Sequence, residues 1–137
     1  MKKIWKLLFM LILIFSINIS CQEEDDNDIS PVLADRDKFF GQWNVNDENC
    51  QRSRYIVEIS PDPSNSIQVL VANFGFSKAV IPDTAIIAGS TITLPFQMNS
   101  EKWIISGVGK YENGEISWNY SLEISGDLLD CTATYIQ

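Results

Sequence analysis

Ile116-Ser117-Trp118-Asn119-Tyr120-Ser121-Leu122-Glu123-Ile124 alternates apolar and polar side chains without a break over nine residues. Successive side chains of a strand point to opposite faces, so this run predicts a strand with one buried and one wet face. Just upstream, Tyr111-Glu112-Asn113-Gly114-Glu115 carries Asn-Gly, a pair that tolerates positive φ and suits a tight hairpin turn. Working outward, the same alternation predicts strands at Gly41 to Asp47, Arg54 to Ser60, Ile67 to Phe74, about Thr84 to Ala88, Thr91 to Met98, Ile104 to Tyr111, and Asp130 to Ile136. Turn signals separate them: Pro61-Asp62-Pro63-Ser64-Asn65, Gly89-Ser90, Asn99-Ser100 and Ser125-Gly126-Asp127. No helical period appears in this part of the chain. About eight short strands with mostly short loops predict an all-β domain, a small antiparallel meander barrel. A two-sheet sandwich is the alternative.

In an even-numbered meander the first and last strands run antiparallel, so they can pair and close the barrel. Cys50 lies just past the first strand and Cys131 near the start of the last. Setting one opposite the other places Val45 opposite Ile136, and closure and a Cys50–Cys131 disulfide then support each other. Such a bridge encloses about 80 residues and contributes roughly 4.5 kcal/mol on the chain-entropy model. Two free buried thiols are the alternative. Two Cys without any His fall short of the four ligands of a structural zinc site.

The N-terminal segment has a different character. Met1-Lys2-Lys3-Ile4-Trp5-Lys6 is basic, Leu7 to Ile17 is apolar, and Ser20 precedes Cys21. That layout predicts a lipoprotein signal peptide over residues 1–20, although Asn18 stands where the usual lipobox has Leu. The apolar run is about half of the roughly 20 residues that span a bilayer. Cleavage after Ser20 makes Cys21 a lipidated N-terminus anchored in the membrane. An ordinary secretory signal with an incidental Cys is the alternative. The remaining chain has 7 basic and 18 acidic residues, a net charge of −11. Seven of the acids lie between Glu23 and Asp37, so residues 21–37 are expected to form a disordered acidic tether. Seventeen residues reach at most roughly 56 Å at about 3.3 Å each.

Three resemblances sharpen these expectations. Gln22-Glu23-Glu24-Asp25-Asp26 resembles the acidic export signal of Bacteroidota-type surface lipoproteins. It implies an outer-membrane, lipid-anchored protein at the cell surface, with the periplasmic face as the alternative. Phe39-Phe40-Gly41-Gln42-Trp43 resembles the Gly-x-Trp opening of lipocalin-type barrels, which implies that Trp43 plugs the barrel floor. No Arg stands in the last strand to cover it, as many members of that family have. From about Gly41 to Tyr135 the chain also resembles short lipocalin-like lipoprotein domains of Bacteroidota. The shared elements are the early Cys, Asn73-Phe74-Gly75, and the terminal Leu129-Asp130-Cys131-Thr132-Ala133-Thr134-Tyr135. The group implies no activity for this chain.

Residues 38–137 carry 6 bases and 11 acids, which suits one domain repelled by nucleic acid and anionic headgroups and attracted to cationic partners. With no His, imidazole-dependent nucleophile activation is excluded. Glu58 and Glu123 fall on the polar phase of their strands and most other acids fall in turns, as a solvated surface requires. Asn44, Asn46, Asp47, Glu48 and Asn49 lack the spacing and Gly of a calcium loop. No catalytic residue, metal or cofactor is expected. The inward phase is read as Trp43, Tyr55, Val57, Ile59, Phe96, Trp118, Tyr120, Leu122 and Tyr135, enough to fill a small barrel. Phe74 and Phe76 flank a Gly near a strand end, where they either seal the core or line a ligand mouth. The expected function is a non-catalytic binding or structural domain of a surface lipoprotein. The alternatives are a carrier of a small apolar ligand and a protein inhibitor of the lysozyme-inhibitor type.

Overall fold

The computed structural model describes residues 35–50 and 54–137. Cys21 and the acidic run Gln22 to Asp26 therefore lie outside the described residues. Eight strands form the domain: β1 Gly41–Asp47, β2 Tyr55–Pro61, β3 Gln68–Ala72, β4 Asp83–Ala88, β5 Thr91–Met98, β6 Ile104–Glu112, β7 Glu115–Ile124 and β8 Asp127–Ile136. Each is antiparallel to its neighbours in chain order, and β1 pairs with β8 to close the barrel. Asn113 and Gly114 turn with φ of 52° and 88°, which lets β6 and β7 pair along their whole length.

The closing register differs by one residue from the expected one. Val45 faces Tyr135, and Asn44 faces Ile136. The pleat explains the shift: Val45 and Tyr135 both point inward, whereas Ile136 is 43% exposed, so pairing Val45 with Ile136 would set an inward position against an outward one. Cys50 and Cys131 are nevertheless bridged, with Cα atoms 5.5 Å apart. Cys50 lies beyond the β1 ladder in a turn where the Asp47 carboxylate accepts hydrogen bonds from the backbone N–H groups of Asn49 (3.2 Å) and Cys50 (2.7 Å). That turn, rather than direct strand pairing, brings the thiol across.

Two other expectations need correction. β3 stops at Ala72, because Asn73 adopts φ 64° and Phe74–Phe76 form a 3-10 turn across the barrel end. Phe96 points outward and is 76% exposed. A bulge is the cause: Pro95 and Phe96 together face the single residue Ser106, so the pleat phase set by Ile92 and Leu94 is lost beyond them. Pro95 has no N–H to give to a ladder, which makes a bulge one of the few sheet positions open to it.

The two barrel ends are unlike. At one, a 3-10 turn, Asp37–Phe39, lies under the barrel, and the Trp43 indole N–H donates to the Phe39 carbonyl at 2.8 Å. Tyr111 packs against Phe39 and Trp43, with ring centroids 5.4 and 6.4 Å away. Arg36, on the N-terminal side of the fold, donates to the carbonyls of Ser66 and Gln68, locking this floor to the β2–β3 loop. At the other end lie the disulfide, the Phe74–Phe76 turn and the loops that follow β3 and β5. The chain enters the barrel at the floor.

Candidate functional site

The interior is occupied by side chains. Phe74 folds over the lumen and meets Trp118 and Tyr120 edge-on, both at 5.0 Å between centroids, and Trp118 meets Tyr135 at 5.7 Å. Phe74 is fully buried, while Phe76 is half-buried at the rim against Tyr55 at 5.3 Å, with the Lys78 ammonium over its ring at 4.7 Å. The Phe-Gly-Phe element thus packs as a plug. Trp43 is fully buried at the floor.

Several polar groups share this core. The Tyr120 hydroxyl donates to the Asp47 carboxylate. Burial pushes the phenols of Tyr55, Tyr120 and Tyr135 well above their ordinary pKa, and the neighbouring negative charge of Asp47 adds to the effect, so all three stay neutral. The phenols lie close enough to influence one another's ionisation, yet the hydroxyls of Tyr55 and Tyr135 have no hydrogen bond of ordinary geometry among the described residues. The Trp118 indole N–H and one Asp83 carboxylate oxygen are likewise buried without a partner. Desolvation raises the Asp83 pKa to about 6. Asp47 is held by Tyr120 and by the backbone amides of Asn49 and Cys50. Among the described residues no group of three or more acidic, Cys or His side chains could hold a metal ion.

A recess of about 750 Å³ lies outside the barrel wall, on the outer faces of β5 to β8, and is open to solvent. Two ladder rows make its floor: Thr93, Val108, Asn119 and Thr132 in one, Ser106, Ser121 and Asp130 in the other. Phe96 and Pro95 form one wall and Asn49 closes the far side. Behind this stretch β6 lies very close to β7's aromatic side chains. A Cβ at Gly107 would sit 2.6 Å from Tyr120 Cβ, and one at Gly109 would sit 2.7 Å from Trp118 Cε2.

Much of the recess is held in place by its own hydrogen bonds. Ser121 donates to one Asp130 carboxylate oxygen at 2.9 Å. Asn49 accepts from the Thr132 backbone at 2.9 Å and donates to the Asp130 carbonyl at 3.0 Å, clamped in turn by the adjacent disulfide. Among the described residues the side chains of Thr93, Ser106 and Asn119 make no hydrogen bond and face solvent. Val80, Ile81 and Met98 add exposed apolar surface at the end remote from the floor.

The disulfide was legible in the sequence and Trp43 lies buried where the floor was expected, whereas Phe74, read as the end of a strand, belongs to a turn, and the recess was missed. The only local signal was Pro95 inside an otherwise regular strand, which marks a bulge and hence a change of face. The domain is thus a closed eight-stranded antiparallel barrel with a filled lumen and a wide recess on its outside. Comparison with models of protein families, curated proteins and solved structures gave no match.

Proposed function

We propose that this chain is a lipid-anchored outer-membrane protein, displayed at the cell surface, whose barrel binds a partner on its outside and carries out no chemistry on it. Lipidation falls on Cys21, residues 22–37 serve as tether, and Gln22, Glu23, Glu24, Asp25 and Asp26 direct export. The observation that carries the reading is the polarity of the barrel. The chain enters at the Trp43 floor, and five of the six most exposed large apolar side chains among the described residues, Val80, Ile81, Phe96, Met98 and Leu128, lie towards the opposite end, against Ile67 at the floor. A tether attached at the floor leaves those side chains at the end remote from the attachment point, free to meet a partner. Exposed apolar surface of this kind is costly to leave wet and often marks an interaction site. Because Phe74, Trp118, Tyr120 and Tyr135 occupy the lumen, binding is assigned to the outer wall instead of the interior.

Two variants test the reading. Cys21→Ser should leave the chain unlipidated and shift it out of the membrane fraction, since stable anchoring normally takes two acyl chains. Replacing Glu23, Glu24, Asp25 and Asp26 with Ala should keep the anchor but protect the domain from protease added to intact cells. A Cys21→Ser chain that stays fully membrane-bound overturns the anchor. Equal digestion of the Ala variant and wild type reduces the acids to a spacer.

A further inference from the structure

We infer that the outer recess of β5 to β8 is a binding site for a neutral saccharide. The inference rests on the reading of the domain as a non-catalytic binder and names the chemistry of its site. Three features converge. First, the lining contains no Lys or Arg and only one carboxylate, Asp130, so neither an anionic nor a strongly cationic ligand finds its counter-charge there. Second, the floor is a field of short hydroxyl and amide side chains. Asn119, Ser106 and Thr93 are free to donate and accept, and Asp130 keeps one oxygen beyond the one that Ser121 occupies. Ligands that present many hydroxyls in fixed directions, each both donor and acceptor, match that field. Third, Phe96, a residue 76% exposed, stands at the wall beside Pro95 and Val108. An aromatic face carries partial negative charge and suits the C–H face of a sugar ring, which is apolar and weakly positive.

The site is also built before any ligand arrives. The bulge that turns Phe96 outward is fixed by Pro95, and the Ser121–Asp130 and Asn49–Thr132 hydrogen bonds hold the floor. A preformed site loses less side-chain freedom on binding. A recess of about 750 Å³ falls within the range of small-ligand sites, and its openness to solvent gives a ligand direct access. The lining carries one carboxylate, Asp130, and beside it the Glu48 carboxylate accepts from the Thr132 hydroxyl at 3.3 Å. The inferred role is saccharide binding, without a hydrolytic step.

A glycan array probed with the full lipidated protein in detergent provides the test. Binding to one or more neutral glycans is expected. Phe96→Ala should lower that signal at least tenfold and Asn119→Ala at least fivefold, whereas Ile56→Ala, on the outer face of β2, should leave it unchanged. Silence across the array, binding to sulfated or sialylated glycans alone, or full binding by Phe96→Ala and Asn119→Ala each overturns the inference. Membrane anchoring and surface exposure are read by fractionation and protease access, so a silent array leaves those results standing and the two proposals fail separately.

Discussion

At the residue scale, Asp83 is the least comfortable side chain of the barrel. It begins β4, is 3% exposed, and has one oxygen without a partner. Its carboxyl titrates near 6 in the folded chain, against about 3.9 for an ordinary Asp. Between those values the folded chain holds the proton more tightly than the unfolded chain. Stability therefore falls as pH rises from about 4 to about 6, and the penalty persists above that range. Asp83→Asn keeps the shape and removes the charge, so it should stabilise the domain by about 1 kcal/mol at pH 7.5, the solvent near the strand end limiting the gain. At pH 4 the gain should vanish. Urea midpoints at the two pH values check this, and a variant weaker than wild type at pH 7.5 contradicts it. Nothing in the sequence singled out Asp83, because an acid following Pro82 at a strand start reads as a solvated turn residue, whereas it begins β4 opposite the buried Val71. Trp43, Trp118 and Tyr135 were legible as interior residues because each sits in unbroken alternation. Phe96 was misread because alternation carries no record of an inserted residue.

At the scale of elements, the informative piece is the seam between β4 and β5. Their ladder runs only from Ile86↔Thr93 to Ala88↔Thr91 and ends below the bulge. Above it the Gln97 side chain takes over. Its amide nitrogen donates to the Thr84 carbonyl at 2.8 Å, and its oxygen accepts from the Thr84 backbone N–H at 3.1 Å. One side chain thus supplies both main-chain partners that the bulge removes. Gln97→Ala should cost about 1 to 2 kcal/mol. It should also speed hydrogen exchange at the Thr84 amide, while Ile86 to Ala88 keep their protection. Unchanged exchange at Thr84 would show that the side chain does not close the seam. Strand positions were readable along the chain to within a few residues, β1 and β5 to the residue. The largest errors fell at β3, where Asn73 leaves the strand through positive φ, and at β8, which starts at Asp127 instead of Asp130. Both are set by loop geometry that apolar periodicity does not encode.

At the scale of the whole molecule, closure was legible because two independent patterns agreed. An even number of strands returns the last one antiparallel to the first, and two cysteines lie near that junction. The register was off by one because the cysteines were placed directly opposite, while the Asp47 turn lets them bridge off the ladder. The bridge spans 81 positions, so removing it frees much of the unfolded chain. Cys50→Ser with Cys131→Ser should still fold, since the aromatic core and the β1–β8 ladder remain. Its stability should be lower by about 2 to 4.5 kcal/mol, measured by urea denaturation against the oxidised wild type. A difference below about 0.5 kcal/mol would mean that the ladder alone fixes the closure.

The same cross-link decides how the barrel carries tension. Drawn between Asp35 and Gln137, force first loads the β1–β8 ladder, because both ends leave the barrel at its floor. Once that ladder parts, the load passes to the sulfur bridge between Cys50 and Cys131, and residues 51–130 cannot be drawn out while the bridge is intact. The extension open to the pulled chain is then confined to residues 35–50 and 131–137.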